Sequence, residues 1–136
     1  MTLVDTNILL DVFTKDPKWL DWSLARLEEA SFEGPLIIND VIYAETSARY
    51  PAIEEFESAL AGAGIAVATI PRIALFLAGK AFLQYRAVGG IRTGVLADFF
   101  IGAHAAVEQL PLLTRDARRY RTYFPTVNLI APDSPE

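Results

Sequence analysis

Four carboxylates stand where an acid is hard to accommodate. Asp5 follows directly on the apolar Leu3-Val4, with no cation beside it. Asp98 is the only charged residue between Gly94 and Ala103, a run rich in Leu, Phe and Ile. Glu45 falls near Val41, Ala44 and Ala48 on one helical face, counting about 100° per residue. Asp116 comes just after Leu110–Leu113. Each alone also fits a helix cap or a salt-bridged residue, and gathered together they would repel and raise one another's pKa. A divalent cation removes that penalty. Oxygen ligands, with no Cys and a single His in the chain, favour Mg²⁺ or Mn²⁺ over Zn²⁺. Such an ion keeps several waters and meets its substrate through phosphate oxygens, so the expected chemistry is hydrolysis of a phosphodiester by an activated water. One carboxylate could take the proton from that water.

Positioning these acids requires a particular frame. Leu3-Val4, Leu36–Ile38, Ile65–Ile70, Leu110–Leu113 and Val127–Ile130 read as short buried strands. Between them lie helical patterns. Asn7 is a possible cap for a first turn through Phe13, and Pro17 leads a helix over Trp19–Ala30. Asn39 or Asp40 caps a helix to about Arg49, and Pro51 opens another that closes near Gly62 or Gly64. A long helix from Pro71 to about Val88 ends in Gly89-Gly90. A loop, Ile91-Arg92-Thr93-Gly94, leads into a helix over residues 95–108, and a short one spans Asp116–Tyr123. Apolar strands alternating with helices predict an α/β fold with a mostly parallel central sheet covered on both faces. Ligands of such sheets sit outside the carboxyl ends of the strands, where Asp5, Glu45 and Asp116 fall and Asp98 can join them.

The bulk properties permit this reading. A chain of 136 residues with 52% hydrophobic content makes a single domain, residues 1–136. Its longest apolar stretch, Ile73–Leu83, is broken by Gly79 and Lys80 and falls far short of the ~20 residues of a membrane span. Asp5 lies too close to Met1 for a signal peptide, and cysteine is absent, so a cytoplasmic location is expected. The net charge of −5 is unevenly spread: residues 1–79 carry −7 and residues 80–121 carry +4. A basic half leaves room for a phosphate-bearing substrate.

Four motifs in order carry a family resemblance: Val4-Asp5-Thr6-Asn7-Ile8-Leu9-Leu10-Asp11, Tyr43-Ala44-Glu45, Ala97-Asp98-Phe99-Phe100-Ile101-Gly102-Ala103-His104-Ala105 and Leu113-Thr114-Arg115-Asp116. Arg119-Tyr120-Arg121-Thr122-Tyr123-Phe124-Pro125 extends them. The chain resembles PIN-domain nucleases, and more narrowly VapC-type ribonuclease toxins, over nearly its whole length. The resemblance implies a three-layer α/β/α sandwich and Mg²⁺- or Mn²⁺-dependent cleavage of RNA. It implies metal ligation by Asp5, Glu45, Asp98 and Asp116, with Asn7 and Thr114 orienting them. It further implies a homodimer held inactive by a cognate antitoxin, with operator DNA bound only through that antitoxin and no membrane partner.

Other residues admit two readings. Arg92, Arg115, Arg118 and Arg119 could clamp RNA phosphates or form ion pairs with the acidic half; the last three fall within about 100° of one helical face. His104, six positions after Asp98, points away from it and reads as structural. Asp11 reads as an acid outside the site. Trp19 with Trp22, and Tyr120 with Tyr123, read as packing or dimer contacts, and Glu54, Glu55 and Glu57 as a solvated face. A haloacid-dehalogenase-type phosphatase would need an Asp where Asn7 stands, and Gly89-Gly90 precedes no Lys-Ser/Thr of a phosphate loop. The rival from another class is a non-catalytic PIN-fold module that binds RNA or protein.

Overall fold

The computed structural model describes residues 1–92 and 95–132, so Thr93 and Gly94 of the expected loop and the end of the Pro-rich tail lie outside the described residues. Five strands form one sheet: β1 (Thr2–Val4), β2 (Leu36–Asn39), β3 (Ile65–Ala68), β4 (Leu112–Leu113) and β5 (Leu129–Ile130). Their order is β3-β2-β1-β4-β5, and every pairing is parallel. The helices are α1 (Thr6–Phe13), α2 (Leu20–Glu33), α3 (Asp40–Ser47), α4 (Ile53–Gly62), α5 (Arg72–Ala87), α6 (Leu96–Glu108) and α7 (Arg118–Tyr123). They cover both faces of the sheet in a three-layer α/β/α sandwich. Among the described residues no helix is long and apolar enough to cross a membrane.

Strand order decides where a site can form. From β1 the chain steps one way to β2 and β3, then returns to place β4 and β5 on the other side. Such a reversal opens a crevice at the carboxyl ends of the two central strands. Register makes that crevice specific: Val4 pairs with Leu113, so Asp5 and Thr114 leave the sheet side by side. The Asp5 amide donates to the Leu113 carbonyl at 2.9 Å. Leu3, Val4, Ile38, Leu112 and Leu113 are fully buried, as strands covered on both faces must be.

Several local expectations are corrected. Asp5 itself caps α1, its carboxylate accepting from the Thr6 amide at 2.7 Å, and Asn7 lies inside the first turn with its side chain free for other work. Pro17 precedes α2 by three residues; Asp16 organises that entry by accepting from the Lys18 and Trp19 amides, each at 2.9 Å. Asn39, rather than Asp40, caps α3 by accepting from the Ile42 amide at 3.0 Å. The last helix begins at Arg118, leaving Asp116 and Arg115 in the loop after β4.

Helix α6 is closely approached at Gly102 by the Phe124 ring. A Cβ added at Gly102 would lie 2.3 Å from the Phe124 ring, so the glycine lets the chain after α7 close onto α6. Gly102→Ala is expected to destabilise the protein by about 1–2 kcal/mol, because overlap with a buried ring outweighs the better helix propensity of alanine. Chemical denaturation measures it. An unchanged midpoint would mean that Phe124 moves aside freely.

Candidate active site

The crevice between β1 and β4 holds a cavity of about 200 Å³ lined by Asp5, Glu45, Asp98 and Asp116, together with Thr6, Asn7, Leu10 and Tyr120. The four acids singled out from the sequence thus share one wall. They arrive from four separate segments: the end of β1, the last turn of α3, the first turn of α6 and the loop after β4.

Asp5 is the most constrained of them. It is 4% exposed, and one carboxylate oxygen accepts from the Thr114 hydroxyl at 2.9 Å and the Tyr120 hydroxyl at 2.8 Å. The other oxygen caps α1. Burial nevertheless wins. Desolvation pushes the Asp5 pKa up to about 6, the Tyr120 hydrogen bond opposes it, and the neighbouring Asp98 adds to the rise. Tyr120, buried against this carboxylate, is held far above the ordinary phenol range, chiefly by desolvation, and so remains a donor. Thr114 is held in turn: its hydroxyl oxygen accepts from the Asn7 amide group at 3.2 Å and the Asp116 backbone amide at 3.1 Å.

Asp98 is less enclosed, with its side chain 36% exposed. Its Oδ2 lies 2.6 Å from Nη1 of Arg119. Burial still raises its pKa, against the lowering by that guanidinium. Glu45 overturns part of the sequence argument. The buried face of α3 is Ile42 and Thr46, whereas Ala44, Glu45 and Ala48 are exposed. Glu45 therefore reaches the cavity from the rim, where its Oε1 accepts from the Thr6 hydroxyl at 2.7 Å.

The arginines divide. Arg115 is off the helix, and its Nε donates to both oxygens of Asp11, at 3.1 and 2.9 Å, with the guanidinium over the Trp19 ring. Asp11 is 1% exposed and also accepts from Ser23 at 2.6 Å. The pair ties the loop bearing Thr114 and Asp116 to α1 and α2. Arg92, Arg118 and Arg119 instead line a second groove of about 460 Å³ with Tyr85 and Tyr123, and this groove shares Asp98 and Asp116 with the acid cavity. His104 is buried, burial holds its pKa below the ordinary value, and its Nδ1 lies 3.1 Å from the Asn39 amide nitrogen. It braces the residue that caps α3 and does not line the acid cavity.

Two contributors escaped the sequence reading: Thr6, which holds Glu45, and Tyr120, assigned there to packing. A tyrosine buried four positions before the buried Phe124 was the available signal, since a buried phenol needs a partner.

The donor set suits Mg²⁺ or Mn²⁺. Among the described residues no three His, Cys, Asp or Glu side chains converge closely enough to chelate an ion as they stand. Mg²⁺ does not demand such a cage, being held by one or two carboxylates and several waters. Four carboxylates on one small cavity, two of them (Asp5 and Asp98) raised in pKa by burial, match that requirement.

The PIN domain model matches residues 2–125. The chain belongs to the PIN domain family. Solved structures share its fold at low identity. The VapBC2 complex from Rickettsia felis, bound to a promoter DNA fragment, contains a chain with TM-score 0.72 and 20% identity, over 97% of this PIN domain chain and 98% of that one. DNA-bound VapBC from Salmonella typhimurium gives 0.69 and 16%, over 96% and 98%. FitAcB from Neisseria gonorrhoeae gives 0.66 and 18%, over 96% of each. No curated protein matches this PIN domain.

Proposed function

We propose that this PIN domain is a divalent-metal-dependent endoribonuclease and the toxin half of a toxin–antitoxin pair. One observation carries the reading: Asp5, Glu45, Asp98 and Asp116 line a single cavity at the β1/β4 crevice. Asp5, Asp98 and Asp116 would hold Mg²⁺ or Mn²⁺, with Glu45 at the rim. The ion would supply water activation and neutralise charge on the phosphate. The remaining work belongs to the chain. Thr114 and Tyr120 fix the Asp5 carboxylate, Asn7 fixes Thr114, and Thr6 orients Glu45 toward the cavity mouth. Glu45, exposed and without an Arg partner among the described residues, is the acid best placed to accept the proton of the attacking water. Arg92, Arg118 and Arg119 in the adjoining groove would receive the flanking phosphates.

RNA as substrate follows from the motif resemblance. An antitoxin partner is supported by the fold neighbours, one of which is a chain of a toxin–antitoxin complex from Klebsiella pneumoniae. Homodimerisation and a cytoplasmic location go with that assignment. The decisive assay incubates the purified protein with total RNA in Mg²⁺ or Mn²⁺. Cleavage should vanish in chelator, return on adding Mn²⁺, and be absent from Asp98→Asn. Cleavage that survives chelator would leave a non-catalytic or metal-independent role for these acids.

A further inference from the structure

The acid cavity and the arginine groove share Asp98 and Asp116, and the short contact between them is at Asp98. Arg119 Nη1 lies 2.6 Å from Asp98 Oδ2, while the same guanidinium sits over the Tyr85 ring, 5.9 Å from its centroid. Neither side chain is sealed in, being 24% and 36% exposed. Arg119 therefore reaches from the groove to an acid of the cavity. It neutralises a candidate metal ligand, and it lines the groove with Arg92, Arg118 and Tyr123.

A carboxylate oxygen paired this closely to a guanidinium is not fully available to a second cation. Mg²⁺ or Mn²⁺ arriving at Asp98 must compete with Arg119 for it. Once displaced, the guanidinium keeps its aromatic platform, and its nearest open direction is the groove. There its fork of N–H donors suits a phosphate better than an ammonium would. We infer that Arg119 is a positioning residue that alternates between Asp98 and a substrate phosphate, so that metal binding and RNA binding strengthen each other. This rests on the metal-nuclease reading above. It adds a contribution of Arg119 to the coupling of metal and RNA that the reading does not require, since a fixed phosphate clamp at Arg119 would add the same RNA affinity with or without metal.

Linkage sets the expected signs. Removing Arg119 removes the competitor, so Arg119→Ala should bind Mn²⁺ about five- to tenfold more tightly than the wild type. The same variant should bind RNA more weakly in Mn²⁺ but unchanged in chelator, where the wild-type guanidinium is occupied by Asp98. Reciprocity then requires RNA to tighten Mn²⁺ binding more in the wild type than in Arg119→Ala, where only the direct contact of metal with phosphate couples the two. Arg119→Lys retains a cation for Asp98 but lacks the fork. It should leave Mn²⁺ affinity near that of the wild type while losing most of the metal-dependent gain in RNA affinity.

The experiment titrates Mn²⁺ by electron paramagnetic resonance into wild type, Arg119→Ala, Arg119→Lys and Asp98→Asn, each first checked for folding by its thermal midpoint. RNA affinity is read by anisotropy of a labelled, nuclease-resistant phosphorothioate oligoribonucleotide in Mn²⁺ and in chelator. Tighter Mn²⁺ binding by Arg119→Ala, with an RNA defect confined to Mn²⁺, supports the alternation. Equal or weaker Mn²⁺ binding by Arg119→Ala, with wild-type binding intact and lost in Asp98→Asn, overturns the alternation and leaves the metal site standing. An RNA defect of the same size in chelator also overturns it, making Arg119 a fixed clamp. No Mn²⁺ uptake by the wild type overturns both.

Discussion

Replacing Asp5 with Asn is expected to stabilise the protein in chelator while removing RNA cleavage. The carboxylate is 4% exposed and its pKa is pushed up to about 6, so folding at neutral pH must keep ionised a group that burial would rather protonate. A rise of that size costs about 3 kcal/mol at neutral pH. Asn keeps an acceptor for the Thr6 amide, and the Tyr120 hydroxyl can turn to accept from its NH₂. The Thr114 oxygen, already accepting from Asn7 and the Asp116 amide, must turn its own proton toward the Asp116 carbonyl. Part of the gain is lost in that rearrangement, leaving an expected 1–2 kcal/mol, or about 5 °C in Tm. The sign also fixes the pH dependence. Because the folded pKa is raised, wild-type stability in chelator should fall as pH climbs from about 4 to about 6, and this component should vanish in Asp5→Asn. Cleavage should drop by about 10³-fold or more, the scale of losing one central electrostatic group of a site. Added Mn²⁺ should raise the wild-type midpoint and leave the variant's unmoved. A variant less stable than wild type in chelator would show that Asp5 is held chiefly by its hydrogen bonds, with no strain awaiting a cation.

That expectation shows how far the sequence could be read. Asp5 after Leu3-Val4 was legible because a charge directly behind an apolar strand has few structural uses, and the strand–helix alternation already placed it at a sheet edge. Asp98 was legible as the lone charge in an otherwise apolar helical run. Glu45 was selected on a faulty premise. Helical spacing groups it with Val41, Ala44 and Ala48, yet periodicity alone does not say which face of α3 meets the core, and Ile42 with Thr46 does. The family motif, not the stripe, located it correctly in the cavity. Hydroxyl partners were beyond reach of spacing: Thr114 and Tyr120 converge on Asp5 from more than a hundred positions away. Such contacts depend on register, here the pairing of Val4 with Leu113.

The arginines make the same point with a larger consequence. Counting 100° per residue puts Arg115, Arg118 and Arg119 on one face, but the helix starts at Arg118, and Arg115 is spent on the buried Asp11. Asp11→Ala is therefore expected to be among the most damaging single changes in the chain, although Asp11 lies outside the acid cavity. It would strip the Arg115 guanidinium of both Nε contacts and leave the fully buried Ser23 hydroxyl without its acceptor. Breaking a buried pair from one side costs about 3–5 kcal/mol, and the 28% exposure of Arg115 reduces this to about 2–3 kcal/mol, or about 10 °C in Tm. Arg115→Ala should do at least as much, since the charge it strands is the more deeply buried of the two. Replacing both by apolar residues of similar size, as in Asp11→Leu with Arg115→Met, should recover much of the loss, and the cycle isolates the coupling. Function should fall with stability, because the Arg115 amide also donates to Asn7, which holds Thr114 on Asp5. A phosphate-clamping Arg115 gives the opposite pattern: Arg115→Ala would weaken RNA binding and leave the melting midpoint where it was. Thermal melts alongside RNA anisotropy separate the two, and a midpoint within a degree of wild type would return Arg115 to the RNA surface.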